Sequence, residues 1–214
     1  MRLKDYDVRE GKRVWLSGEE MKQLEEMVEP RNEVRAAFIL AARCGLRRKE
    51  ITQVKPTDLV STDHGRIVRV WDGKGDKYRE VPAPSELADL VIGMNRDPDE
   101  PLVSAHDSTI YDWVQKAANK MEGRSQDVGW KYLGPHDLRR SWGVQLLESG
   151  VLPSVVMDWG GWEDWKTFRN HYLAEFSPEA LRRERGKVPW LSEFQGEGEP
   201  QDSYAVVQAE AGRY

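Results

Sequence analysis

Apolar residues recur at helical spacing along most of this chain and alternate along one short stretch. Ser17 and Glu20 have the form of a capping box, and Met21, Leu24, Met27 and Val28 follow on one face until Pro30 ends the predicted helix. Val34, Ala37, Phe38 and Ala41 make the stripe of a second helix over 32–43, and Gly45 is placed to adopt the left-handed conformation beyond its end. Leu46–Ile51 reads as the start of a short helix that stops before Pro56. The period then changes. Arg66–Trp71 alternates and is β-branched, Gly73–Lys77 is a glycine-rich tip, and Tyr78–Pro82 returns, which together predict an antiparallel hairpin. Helical spacing resumes over 84–94 and over 108–121, where Ile110, Trp113, Val114 and Ala117 face inward. A polar loop over 123–134 leads to helices at 136–149, 153–158, 165–176 and 178–185. The predicted class is α+β, mostly α-helical, with one small antiparallel β-hairpin sheet.

The two ends carry neither period. Residues 1–16 are dense in charge and read as a linker or N-terminal arm, 17–190 carry the domain, and 191–214 read as an acidic, flexible C-terminal tail.

Composition changes this picture in three places. Nine tryptophans in 214 residues argue for a packed, folded chain. The lone cysteine, Cys44, follows Ala41 and Ala42 in an apolar helical segment, so it reads as a small core residue and not a nucleophile, and a single cysteine fits a reducing cytoplasm. There is no apolar run of membrane-spanning length. The net charge of −5 argues at first against a nucleic-acid partner. However, residues 191–214 hold five acidic residues and one basic residue, so the remaining body carries 31 bases against 32 acids. Within that body the bases cluster, at Arg31 to Lys55, at Arg139–Arg140, and at Lys166 with Arg169. Local basic stripes leave DNA open as a partner.

The candidate chemistry is that of a phosphate site. His136 and Arg139 stand three residues apart on a predicted helix and so share a face. Arg47 lies in a basic run far upstream, and Lys74 in the glycine-rich tip reads by itself as an exposed turn lysine. Arginine suits the non-bridging oxygens of a phosphate because its planar fork donates two bonds and never loses its charge. Histidine can hydrogen-bond a phosphate or act as a general base, and a lysine on a flexible tip can reach in with a proton. Phosphate loops of the GxxxxGK[ST] type, HExxH and Cys/His pairs at zinc spacing do not occur.

Four separated motifs resemble the tyrosine recombinase (phage integrase) family, in that family's order. Cys44-Gly45-Leu46-Arg47-Arg48-Lys49-Glu50 resembles its first arginine box, with the acidic residue three positions after the arginine. Gly73-Lys74-Gly75-Asp76-Lys77 resembles its lysine hairpin, His136-Asp137-Leu138-Arg139-Arg140-Ser141 its HxLRxS box, and Gly161-Trp162 followed by Tyr172 its last box. The resemblance covers about residues 17–185 and implies the family's DNA breaking–rejoining catalytic fold.

It also implies roles. Arg47 and Arg139 clamp the scissile phosphate, His136 assists them, and Tyr172 is the nucleophile that forms a 3′-phosphotyrosyl bond. Lys74 protonates the leaving 5′ oxygen, with Lys77 as the competing lysine, and Glu50 supports the arginine site without doing chemistry. The implied activity is site-specific recombination for integration, excision or resolution of a genetic element, without metal or nucleotide cofactor. The implied partner is double-stranded DNA bearing recombination sites. The implied active form is a homotetramer, with a monomer the alternative for the isolated chain, and the implied setting is a prokaryotic or viral, cytoplasmic, DNA-associated protein. A non-catalytic DNA-binding relative is the other reading, which the full set of motif residues disfavours.

Three departures stand out. Trp162 fills the slot where most members have histidine, and its indole N–H can donate one bond to a phosphate but cannot shuttle a proton. Trp162 to Tyr172 is ten residues where nine is usual, which puts His171 in the ninth position. Only about 16 residues precede the catalytic region, so the chain is expected to be a piece of a longer protein with an N-terminal DNA clamp, a minimal natural form being the alternative. His64 and His106 are expected at the surface, and Trp159, Trp162 and Trp165 in a packing cluster.

Overall fold

The computed structural model describes residues 1–6, 10–71, 78–169 and 178–188. Its order is β1 (Arg2–Asp5), β2 (Lys12–Trp15), α1 (Gly18–Met27), α2 (Asn32–Ala42), α3 (Arg48–Ile51), β3 (Leu59–Thr62), β4 (Gly65–Val70), β5 (Arg79–Pro82), α4 (Ser85–Met94), α5 (Asp107–Ser125), α6 (Pro135–Glu148), α7 (Pro153–Gly160), α8 (Trp165–Phe168) and α9 (Pro178–Gly186). Single 3₁₀ turns sit at Pro56–Asp58 and Val128–Tyr132.

The most buried element is α2. The expected stripe is too narrow, because every residue from Ala36 to Ala42 is buried. A helix apolar on all sides needs neighbours on all sides, and α4, α5 and α6 pack around this one. The capping box of α1 is present, with Ser17 Oγ accepting from Glu20 N at 3.2 Å and Glu20 Oε2 from Ser17 N at 2.8 Å. The sheet has three antiparallel strands in the order β3-β4-β5, one more than the hairpin expected, with Val68 opposite both Leu59 and Val81. The loop expected at 123–134 is shorter, since α5 runs to Ser125 and the buried Trp130 holds a 3₁₀ turn against the core. Of the helix expected at 165–176, residues 165–168 are helical and 170–177 lie outside the described residues.

The stretch 1–16 requires a correction. Read as an arm, it folds as the β1–β2 hairpin, with Leu3 opposite Val14. Val14 and Leu16 are buried in the main core. The Asp137 carboxylate accepts from Val14 N at 3.1 Å, and Ser141 Oγ accepts from Leu16 N at 2.8 Å. Charge density hid the strands because most of their other residues are charged and only Val14 and Leu16 are buried in the main core.

At the end of α2 the chain turns through Gly45, whose φ of +64° lies in the left-handed region. A Cβ there would stand 2.2 Å from the Trp142 ring. Gly45→Ala therefore combines left-handed strain with overpacking, each of the order of 1–3 kcal/mol, and should lower unfolding free energy by roughly 3 kcal/mol. A loss below about 1 kcal/mol in urea titration would show that Trp142 moves aside freely. Cys44 beside it is fully buried, which pushes its thiol up to about 12.

The described residues 178–188 belong to a compact unit separate from that of the described residues before them. Its described helix, α9, carries Glu184 ion-paired to Lys187 at 2.7 Å.

Candidate active site

Two helix starts and one helix end build the site. Arg47 stands at the N-cap of α3, where the Glu50 carboxylate three residues on accepts from its backbone N–H and from its side chain, both at 2.7 Å. Glycine and proline open α6 at Gly134 and Pro135, and the Asp137 side chain accepts from Gly134 N at 2.9 Å. That start puts His136 in the first turn, exposed, and Arg139 one turn deeper, 1% exposed. Arg47, His136 and Arg139 line one cleft of about 880 Å³, together with Arg48, Lys49, Lys12 and Lys131.

The helix end is that of α7. The last carbonyls of a helix lack partners within it and carry partial negative charge. Here three arginines from three different elements take three successive carbonyls. Arg79 Nε donates to Trp159 O at 3.0 Å, an Arg139 guanidinium N–H donates to Gly160 O, and Arg47 donates to Gly161 O at 3.3 Å. Arg139 also donates to Gly45 O, tying the α2–α3 turn to the α7 end. Its guanidinium carbon lies 4.3 Å from the centroid of the Trp162 ring, a cation–π contact that helps hold a buried charge. Trp162 in turn stacks on Trp142 at 6.1 Å and meets Phe168 at 5.3 Å.

Trp162 thus forms a platform under Arg139, a contact that the sequence reading did not include. Of the expected tryptophan cluster, Trp162 packs on Trp142 and Phe168, the half-exposed Trp165 meets the Phe168 ring at 6.0 Å, and Trp159 packs against the core. Lys74, Lys77, His171 and Tyr172 lie outside the described residues. The frame of the lysine hairpin is described up to Trp71 and from Tyr78, whose rings meet at 5.0 Å, and the Trp71 indole donates to the buried Asp58 at 2.6 Å.

Arg79 escaped the sequence reading altogether. It is 8% exposed and forms a two-pronged pair with Glu50, at 3.0 and 2.7 Å. Its place in strand alternation was the available signal, since Arg79 and Val81 share the inward face of β5. Glu50, 3% exposed, is held between Arg79 and Arg47. Burial alone would push its carboxyl up, but the Arg79 and then the Arg47 interactions outweigh it and bring it down to about 2.

A carboxylate depressed in the fold gives stability that is complete above its ordinary value of 4.5 and is lost as pH falls toward 2. The shift corresponds to roughly 3 kcal/mol, of which roughly 2 should disappear between pH 5 and pH 2.5. Urea titrations of wild type and Glu50→Gln at both pH values check this. The variant should lack that increment, and equal losses in both proteins would remove Glu50 as its source.

The cleft holds the buried Arg139 and a mixed rim, with Lys12, Arg48, Lys49 and Lys131 beside Glu10 and Asp107, in a mostly helical domain with small antiparallel sheets. The sequence profile of the Phage integrase family matches residues 14–178, and the chain belongs to that family, the tyrosine recombinases. Tyrosine recombinase XerA of Thermococcus kodakarensis is 30% identical over 194 residues, 85% of this chain and 65% of the relative. A tyrosine recombinase of Pseudothermotoga lettingae is 32% identical over 123 residues, 54% of this chain and 40% of the relative. The chain thus spans less than two thirds of either curated relative. Among solved structures, the crystal structure of XerA recombinase superposes with a TM-score of 0.64 at 24% identity, covering 81% of this chain and 64% of that one. XerH site-specific recombinase bound to its palindromic difH substrate in a post-cleavage complex superposes at 0.60 and 21% identity, covering 80% and 52%. Both likenesses show that the fold is the recombinase catalytic fold. Among the described residues no helix is long and apolar enough to cross a membrane.

Proposed function

We propose that this chain is the catalytic part of a site-specific recombinase that cuts and rejoins double-stranded DNA through a 3′-phosphotyrosyl intermediate. The observation that carries the reading is the convergence of Arg47, His136 and Arg139, drawn from α3 and α6, on one cleft. Each arginine is oriented by a backbone carbonyl at the end of α7 before any DNA arrives. Preorganised donors of this kind are the largest catalytic term in many enzymes, about 3–4 kcal/mol per donor.

In this reading the Tyr172 hydroxyl oxygen attacks the scissile phosphorus and gives its proton to His136 as the general base. The P–O5′ bond breaks, and Lys74 delivers a proton to the departing 5′ oxygen. A 5′-hydroxyl from a partner strand then attacks the phosphotyrosine, restoring the diester and the phenol. One phosphoester replaces another in each step, so the exchange is close to energy-neutral. Trp162 keeps Arg139 in place from below. The relatives' range leaves integration, excision and resolution as the candidate tasks, carried out by a homotetramer on paired DNA sites, in a DNA-associated, cytoplasmic protein.

The test is a duplex nicked just beyond the scissile phosphate, so that the cleaved 5′ fragment diffuses away and the covalent protein–DNA adduct accumulates. Wild-type protein should accumulate it. No adduct over a full salt series, on the recombination-site DNA bordering the encoding element, would favour the non-catalytic DNA-binding reading.

A further inference from the structure

Arg79 belongs to none of the motif residues, yet it ties two elements of the site's framework together. It leaves β5, the strand that returns from the lysine hairpin, and reaches two other elements. Its paired N–H groups hold both oxygens of Glu50, at 3.0 and 2.7 Å, and Glu50 holds Arg47 through the first of those oxygens at 2.7 Å. Its Nε holds Trp159 O at 3.0 Å, one residue before the carbonyl that engages Arg139 and two before the one that engages Arg47. A Cβ on Gly161 would lie 3.1 Å from Arg79 Cδ, so the α7 turn closes directly on this side chain.

We propose that Arg79 is a positioning residue of the catalytic centre. It locks the carboxylate that aims Arg47 and the helix end that aims both phosphate arginines. The inference rests on the recombinase reading above. A merely fold-stabilising ion pair would need only charge and burial. The geometry asks for more, because three donors of one planar fork satisfy acceptors on two elements at once, which a lysine cannot do. Without Arg79, Glu50 keeps its two bonds to Arg47 but loses its anchor on β5, and the Arg47 guanidinium can shift with it. A displacement of about 1 Å at such a group costs roughly 10²-fold in rate.

The experiment compares wild type with Arg79→Gln, Arg79→Lys, Arg47→Ala and the Arg47→Ala/Arg79→Gln pair, using first-turnover cleavage of the nicked duplex, DNA affinity and thermal unfolding. Arg79→Gln should cleave roughly 10²-fold more slowly while binding DNA within about threefold of wild type. Arg79→Lys should not recover the rate. In the Arg47→Ala background the Arg79 change should cost clearly less, at most about tenfold, since one of the two arginines it orients is gone. The same loss in both backgrounds, or a wild-type rate in either single Arg79 variant, would overturn the proposal. Because Arg79→Gln strands a buried carboxylate and could fail to fold, Arg79→Gln/Glu50→Gln supplies a neutral pair of similar shape. It should fold and still cleave slowly, and wild-type cleavage by it would count equally against the proposal. A readout independent of turnover is the ¹⁵Nε resonance of Arg47, expected to be ordered in wild type and averaged in the Arg79 variants. If wild type forms no adduct, the recombinase reading falls, and this resonance alone decides Arg79. An Arg47 signal unchanged by Arg79→Gln would then dismiss it.

Discussion

Tyr172→Phe is expected to abolish the covalent adduct while leaving DNA affinity within about twofold of wild type. Phenylalanine removes one oxygen and nothing else, and the proposed mechanism forms its only protein–DNA bond through that oxygen. Arg47, His136 and Arg139, which hold the phosphate in this reading, sit on α3 and α6 and are untouched. Binding should therefore survive while cleavage falls by at least about 10⁴-fold, since no other step can proceed without the nucleophile. The ten-residue interval from Trp162 makes the choice of nucleophile worth testing at His171 as well. His171→Ala should still form the adduct, and the wild-type linkage should survive acid, as a phosphotyrosine does and a phosphohistidine does not. An adduct in the phenylalanine variant, or one mapped by mass spectrometry to another residue, would overturn the assignment.

Arg139→Lys should be nearly as damaging. Arg139 spans two carbonyls from distant parts of the chain, Gly45 O and Gly160 O, while its flat face rests on Trp162. An ammonium can keep the charge but cannot reach both carbonyls from one plane or stack in the same way. Losing a preorganised donor to the phosphate predicts a fall of about 10²–10³ in first-turnover cleavage. The variant should also lose about 2–3 kcal/mol of unfolding free energy, because a buried carbonyl and a buried charge are left poorly paired. Cleavage within tenfold of wild type would show that charge alone suffices and that the two-carbonyl bridge is incidental. A rate loss without a stability loss would separate the phosphate role from the structural one.

Much of this was legible from residue order. The capping box at Ser17 and Glu20, the left-handed Gly45 and the β4–β5 hairpin are local signals, set by contacts within a few residues, and they appear in the structure where the pattern put them. His136 and Arg139 likewise share a helix turn, and the structure brings Arg47 to the same cleft. Other features depended on distant partners. The β1–β2 hairpin looked like a charged arm because its burial comes from Asp137 and Ser141, more than a hundred residues later. Those two residues, unexplained letters of the HDLRRS box, are what fasten the strand to α6. Arg79 looked like an ordinary strand charge because Glu50, its partner, belongs to another element.

By itself the sequence determined the helical and alternating segments and which residue types could handle a phosphate, because periodicity, caps and turn residues act over one or two turns of chain. Only the tertiary structure decided how those residues are aimed. Three arginines from α3, β5 and α6 converge because the end of α7 presents three successive carbonyls with no partner of their own, and only packing brings a helix end and three guanidinium groups within hydrogen-bonding reach.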